Sequence, residues 1–144
     1  MNSEIAEQMK PIYTQVGATV QGSQQLELGI GFALTLLKQL NSSEFNDSKF
    51  DDSMDLFSKK TLGWLITEFK KHCKLDENAI STFKLALDER NYIIHKIFSK
   101  DIEEFVNREG REKMKARIIQ ARDNIDSGIK IIDSMVEALL GISG

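Results

Sequence analysis

The stretch DERNYIIHKIF at residues 88–98 sets an arginine, an asparagine and a histidine on a helix that otherwise looks built for packing. Histidine exchanges a proton near neutral pH, and arginine is a permanent, fork-shaped cation that binds oxyanions. Arg90, Asn91 and His95 therefore combine the residue types of acid–base chemistry with those of anion binding. The alternative is that all three are incidental polar positions on a bundle helix.

The three side chains do not share one face of an ideal α-helix. At about 100° per residue, Asn91 and His95 lie one turn apart on a polar face, whereas Arg90 projects from the apolar side, about 140° from His95. A guanidinium there must pair with a carboxylate on another helix or open onto something polar, because an unpaired buried charge is costly. A curled arginine stem, a distorted helix or a second copy of the chain would each allow one ligand to meet both groups. This geometry favours a composite site in a dimer.

A second candidate region is the basic segment REGREKMKAR at residues 108–117. Lysine and arginine make most protein contacts to nucleic-acid phosphates, so this segment is the best candidate for such a contact. A solvated face of a bundle helix is the more ordinary explanation, and both stay open. The candidate RNA-binding residues are Arg108, Arg111, Lys113, Lys115 and Arg117.

The composition of the 144 residues, 41% hydrophobic and 28% charged, is that of an ordinary globular domain. The net charge of −3 gives no global sign of nucleic-acid binding. Cys73 is the only cysteine, which excludes an intrachain disulfide, and His72–Cys73 lacks the spacing of a zinc site, so we expect no metal and no cofactor. There is no signal-peptide pattern and no stretch able to span a bilayer, so we expect a cytoplasmic protein without membrane contact.

Apolar residues recur at spacings of three and four almost throughout, which predicts an all-α fold. The expected architecture is a four-to-five-helix up-and-down bundle in a single domain, residues 1–144. The first helix carries an unbroken seam from Ile5 to Leu40, typical of long helices packed at a shallow angle. Regular helix is expected to begin near Pro11, and the glycines within 17–31 favour close approach of another helix.

The later elements follow from the same spacing and from capping residues. Residues 41–53 are predicted to form a polar loop that leads into a short turn at 54–57. Asp76 is the predicted N-cap of the helix that carries Arg90, and Gly141 is the predicted C-cap of the last helix. The expected helices cover 61–74, 77–98, a short stretch at 102–106, and 111–140.

The form of RNYIIH, arginine and histidine separated by four residues with asparagine directly after the arginine, resembles the motif of the HEPN family of nucleotide-binding helical domains. The upstream TLGWLI and the longer LALDERNYIIHKIF resemble bacterial members of this family. The resemblance covers residues 55–140, and the motif is its only sharp part. It implies a HEPN-like helical bundle.

The resemblance also implies an activity. Family members are metal-independent endoribonucleases that dimerise around a shared cleft, and many act as toxins of toxin–antitoxin pairs or in phage defence. His95 would be the acid–base group, Arg90 the ligand of the scissile phosphate and Asn91 a positioning group, leaving a 2′,3′-cyclic phosphate. The implied partners are an RNA substrate, a second copy of the chain and an antitoxin protein. One family subgroup is adenylylated on a tyrosine two residues after the histidine, and Ile97 stands there instead.

Two other interpretations stay open. The same cleft could belong to a non-catalytic module that binds a nucleotide, RNA or a protein partner, with Arg90 in a core ion pair and His95 on the surface. Alternatively, the seam from Ile5 to Leu40 could serve to pair with another chain.

Overall fold

The computed structural model describes residues 3–44, 46–100 and 102–143, and these form a helical bundle, which confirms the predicted all-α class. The elements in chain order are α1 (Ser3–Leu40), α2 (Asp47–Ser58), α3 (Leu62–His72), α4 (Glu77–Asn91), a π-helical turn (Tyr92–Lys96), α5 (Ile97–Lys100), a 3₁₀ turn (Ile102–Val106) and α6 (Arg108–Ser143).

The two long helices, α1 and α6, form the spine of the bundle and pack against each other along their length. They run parallel, because the contacts advance together along both, from Gln8 with Arg111 to Gln15 with Arg122. The α1 seam is buried within the chain, so it does not need another chain to cover it. Its buried members are Ile12, Thr19, Ser23, Leu26, Ile30 and Ala33, facing Met114, Ile118, Ala121, Ile125, Ile129 and Ile132 of α6.

The shorter helices alternate in direction around this spine. α2 runs antiparallel to α1, since Thr35 contacts Met54 whereas Gly31 approaches Phe57. The motif helix α4 runs antiparallel to α6, with Glu89 reaching Arg117. α4 therefore lies between α6, α1 and α3, and different side chains of α4 face each of these helices.

Two glycines of α1, Gly29 and Gly31, permit close approach as predicted, whereas Gly17 has no atom near its Cβ position. A Cβ at Gly29 would lie 2.9 Å from Cγ2 of Ile132, and one at Gly31 would lie 3.2 Å from Cβ of Phe57. The expected start of the helix near Pro11 is wrong, because α1 already begins at Ser3. An interior proline costs roughly 3 kcal/mol, and burial of the neighbouring Ile12 against α6 offsets that cost.

Two other boundaries differ from the predictions. α2 begins at Asp47, inside the predicted loop, because the Asn46 side chain caps it by accepting from the Lys49 amide at 2.9 Å. α6 continues through Gly141, which therefore does not end it. The Asp76 cap is confirmed, since its carboxylate accepts from the Ala79 amide at 2.7 Å. Among the described helices, none has the length and apolarity needed to cross a membrane.

Candidate active site on the motif helix

A π-helical turn interrupts the motif helix where the sequence predicted regular α-helix. The turn spans Tyr92–Lys96, and the amide of Ile97 donates to the carbonyl of Tyr92, five residues earlier. A π turn holds more residues per turn than an α-helix, so Arg90 and His95 are separated by a smaller angle than on an ideal wheel. Such turns inside α-helices occur frequently at functional sites.

Arg90 is half-buried and only partly satisfied. One terminal nitrogen donates to the side-chain oxygen of Asn91 at 3.1 Å, whereas Nε is buried without a hydrogen-bond partner. In the described part of the chain, no carboxylate lies within 4.0 Å of the guanidinium, so the core ion pair considered for Arg90 is not formed. An electrostatic counterpart is Glu27 of α1, whose pKa is raised by burial and partly lowered again by Arg90.

Asn91 and His95 do not touch among the described contacts. The side-chain oxygen of Asn91 serves Arg90, so this amide orients the guanidinium rather than the imidazole. His95 is exposed within the π turn, and its backbone carbonyl accepts from Ser99 at 3.3 Å. The fold thus brings Arg90 and Asn91 together and presents His95 to solvent about one turn further along the helix.

Exposed apolar side chains surround this part of the helix. Ile94 and Phe98, each 41% exposed, flank His95 in sequence, and Tyr13 of α1 is 58% exposed. The rings of Tyr13 and Phe98 lie 6.3 Å apart, so both helices contribute to one patch, which we call the motif patch (Tyr13, Ile94 and Phe98). Contiguous exposed apolar side chains of this kind mark interaction surfaces.

The structure divides the basic segment at 108–117. Arg111 is buried and donates to the side chain of Gln8 and to the Phe105 carbonyl, so it is not available to a phosphate. Arg108 and Lys113 are exposed and form long ion pairs with Glu4 and Glu109, respectively. Lys115 is half-buried.

Arg117 belongs to a network that the sequence did not reveal. The Glu89 carboxylate is only 5% exposed and accepts two hydrogen bonds from Arg117, at 2.6 and 2.9 Å, and a third from Asn124 at 3.1 Å. The Arg117 guanidinium lies over the ring of Tyr92, 4.4 Å from its centroid. The one sequence signal for this burial is the spacing of Glu89 from the apolar residues Ala86 and Ile93, which places it on the buried side of the helix.

A cavity of about 270 Å³ opens beside this network. Its walls combine an aromatic ring, a thioether and charges of both signs, from Tyr92, Glu104, Lys113, Met114 and Arg117. Within the described residues, no group of three or more histidine, cysteine, aspartate or glutamate side chains is placed to hold a metal ion.

In comparisons with protein-family models, curated proteins and solved structures, nothing matches this chain.

Proposed function

We propose that this protein is a metal-independent endoribonuclease of HEPN type, in which two copies of the chain form a composite site. His95 acts as the acid–base group, Arg90 binds the scissile phosphate, and Asn91 holds Arg90 in place. The proposal rests on the motif resemblance, and one structural observation carries it further: among the described residues the Arg90 charge has no ion-pair partner, and His95, about one turn further along the helix, is exposed.

The state of Arg90 is what an anion site needs. The buried Nε is out of reach of a ligand, so a phosphate would bind the terminal nitrogens of this half-buried guanidinium through charge-assisted hydrogen bonds. The Asn91 oxygen accepts from one terminal nitrogen, which leaves the other terminal nitrogen for the ligand.

The exposed imidazole supplies proton transfer. Cleavage of RNA without a metal requires removal of the proton from the ribose 2′-hydroxyl, attack of that oxygen on phosphorus, and protonation of the departing 5′-oxygen. One histidine can perform one of these transfers at a time, and a second His95 from a partner copy would serve the other. Arg90 would offset the charge that grows on the phosphate oxygens.

The motif patch supplies a reason for the second copy. Tyr13, Ile94 and Phe98 expose apolar surface directly beside His95, so a partner covering this patch would bring its own motif helix to the same place. A C2 pairing uses the same patch on both copies and thus needs no additional surface. Burial of this patch in a homodimer would enclose the two Arg90–His95 pairs in one cleft.

The first experiment incubates the purified protein with single-stranded RNA in EDTA. The chain has two histidines, which offers a matched control, because His72 is exposed on α3 and pairs only with Glu68. We expect wild type and His72→Ala to leave 2′,3′-cyclic phosphate ends, and His95→Ala to lose cleavage by about 10²-fold or more. A purified dimer that leaves RNA intact would contradict the proposal.

The second experiment tests the composite site. Phe98→Lys places a charge in the motif patch and should shift the protein to a monomer, with cleavage lost in parallel. Ile80→Lys is the control: Ile80 is similarly exposed on the same helix, 37%, but lies about 20 Å along it from Ile94. Light scattering reports the oligomeric state, and full cleavage by a Phe98→Lys monomer would exclude a shared site.

One observation favours a second candidate function, a non-catalytic module that binds a nucleotide. The cavity beside Tyr92 offers a ring and the cations of Lys113 and Arg117, although Glu104 and Glu89 balance those charges. Nucleotide binding that survives His95→Ala, without cleavage by wild type, would favour it. A role as a toxin or phage-defence component, with an antitoxin protein as partner, follows from the resemblance and forms part of the first proposal.

A further inference from the structure

The Glu89–Arg117 pair does more than join α4 to α6, and we infer that Arg117 and Tyr92 are positioning residues that hold the π turn and thereby orient His95. This inference rests on the proposed function for its catalytic consequence. Its structural part, that the network fixes the π turn, stands independently and can be tested without RNA.

The contacts form an unbroken path from the core to the turn. Glu89 is held on three sides by Arg117 and Asn124, so the guanidinium has one orientation. That guanidinium lies over the ring of Tyr92, the first residue of the π turn, and the Tyr92 hydroxyl reaches the Met114 sulfur at 4.0 Å. α6 therefore contacts Tyr92 at both its ring face and its hydroxyl.

Fixing Tyr92 has consequences for the whole turn. Its carbonyl accepts the defining hydrogen bond of the π turn from the Ile97 amide, and His95 lies within that loop of backbone. A π turn is rarer than α-helix, so some interaction outside the helix must favour the wider spacing. The stacked guanidinium is such an interaction, since cation–π contacts contribute about 0.5–2 kcal/mol, more when desolvated.

The network is also built for geometry rather than for stability alone. A buried ion pair is often no more stable than apolar residues of the same volume, because both charges must be desolvated. A bidentate arginine–carboxylate pair does fix direction, however, and lysine cannot reproduce it. Catalysis depends on such direction, since a misplacement of about 1 Å can cost roughly 100-fold in rate.

The test uses two pairs of variants. Tyr92→Leu removes the ring under Arg117, whereas Tyr92→Phe keeps it. Arg117→Lys removes the fork and the stack, whereas Arg122→Lys is a control on an exposed arginine of the same helix that makes one hydrogen bond to Gln15. Two readouts report the turn directly: hydrogen exchange of the Ile97 amide, and the ring-proton NMR shifts of His95 in a His72→Gln background.

We expect Tyr92→Leu and Arg117→Lys to speed exchange at Ile97, move the His95 ring signals, and lower kcat by roughly tenfold to 100-fold with KM nearly unchanged. Arg122→Lys should behave as wild type, whereas Tyr92→Phe should lie between wild type and Tyr92→Leu, because it keeps the ring under Arg117 and loses the hydroxyl contact to Met114. Unchanged Ile97 exchange and His95 shifts in both Tyr92→Leu and Arg117→Lys would overturn the inference. If wild type does not cleave RNA, the proposed function fails, but the exchange and NMR results still decide the inference.

A double variant separates positioning from stability. Glu89→Leu with Arg117→Met replaces the ion pair by apolar side chains, which should restore most of the stability that a single substitution would remove. The inference predicts that this variant stays folded and dimeric but keeps the fast Ile97 exchange and the low kcat. A double variant with wild-type exchange and kcat would show that the pair only fills space, and would overturn the inference.

Discussion

Glu89 and Arg90 are consecutive residues of α4, but their charges lie in opposite electrostatic environments. Glu89 faces α6 and is buried with three hydrogen bonds to its carboxylate. Arg90 faces α1 and keeps a buried Nε without a partner, with the Glu27 carboxylate beyond ion-pair distance. On the α6 side of the motif helix the buried charge is thus paired, and we call this side closed. On its α1 side the buried charge has no ion-pair partner among the described residues, and we call this side open.

The difference indicates that the α6 side of α4 stabilises the fold, whereas its α1 side can accept a ligand. A closed pair gives direction, and an open charge gives affinity for an anion, so the two faces of one helix supply the two requirements of a site. If the comparison holds, substitutions on the closed face should cost folding stability, and substitutions on the open face should cost little. The free energy of unfolding measures this difference, and the expected changes range from several kcal/mol to a small pH dependence.

The largest effect is expected for Arg117→Met, which leaves the Glu89 carboxylate buried without its main partner. Removing one member of a buried pair costs about 3–5 kcal/mol, and the low end applies because the Arg117 side chain is 36% exposed. Urea unfolding followed by circular dichroism measures the change. Arg122→Met on the same helix should stay within about 0.5 kcal/mol of wild type. Equal midpoints for the two variants would mean that the α6 side is not closed.

The next effect is expected for Gly110→Ala, near the start of α6. A Cβ there would collide with the backbone carbonyl of Glu104, so the 3₁₀ turn and the start of α6 would have to separate. Overpacking of this kind costs about 1–3 kcal/mol.

Gly17→Ala, at an exposed position of α1, is the matched glycine substitution. No atom lies within 4 Å of the added methyl group, so the variant should gain as much as about 1 kcal/mol from helix propensity alone. Thermal melting of both variants checks the opposite signs. A loss of stability in Gly17→Ala would show that this position of α1 is not open to solvent.

Much of this arrangement follows from the sequence by simple periodicity. The spacing of apolar residues predicts the helices, and Asp76 identifies the start of the motif helix correctly because a cap is a local interaction. Pro11 misled the prediction of the α1 start, since burial of the neighbouring Ile12 outweighs its local preference, whereas no contact among the described residues explains why α6 continues through Gly141.

Only part of the candidate site could be predicted from the sequence. The residue types in RNYIIH indicate the chemistry, but the π turn depends on Arg117, Asn124 and Met114, which lie more than twenty residues further along the chain. A helical wheel cannot contain those contacts. The burial of Arg111 could not be predicted either. Its partners Gln8 and Phe105 lie 103 and 6 residues away in sequence, and helical spacing does not reveal either contact.

A smaller effect is expected for Arg90→Met on the open side. The substitution keeps the apolar stem and removes an unsatisfied buried donor, so stability should be unchanged or rise by as much as about 1 kcal/mol. Urea unfolding beside Arg117→Met gives the direct comparison of the two faces. Because the variant stays folded, its loss of RNA cleavage would report on phosphate binding. A cost near that of Arg117→Met would instead assign Arg90 to the core.

The smallest effect concerns the pH dependence contributed by Glu27. Burial raises the pKa of this carboxyl above its ordinary value of 4.5, and Arg90 only partly opposes the shift. Between the unfolded and folded pKa, the folded chain binds more protons than the unfolded chain, so this group favours folding at low pH and its contribution is lost as pH rises. Relative to Glu27→Gln, wild type should therefore lose stability as pH rises upward from about 4.5, measured by melting temperature. In Arg90→Met the melting temperature should fall more steeply as pH rises, because the cation that lowers the Glu27 pKa is removed. A slope of opposite sign would mean that Arg90 and Glu27 form a close ion pair, and that the α1 side is closed as well.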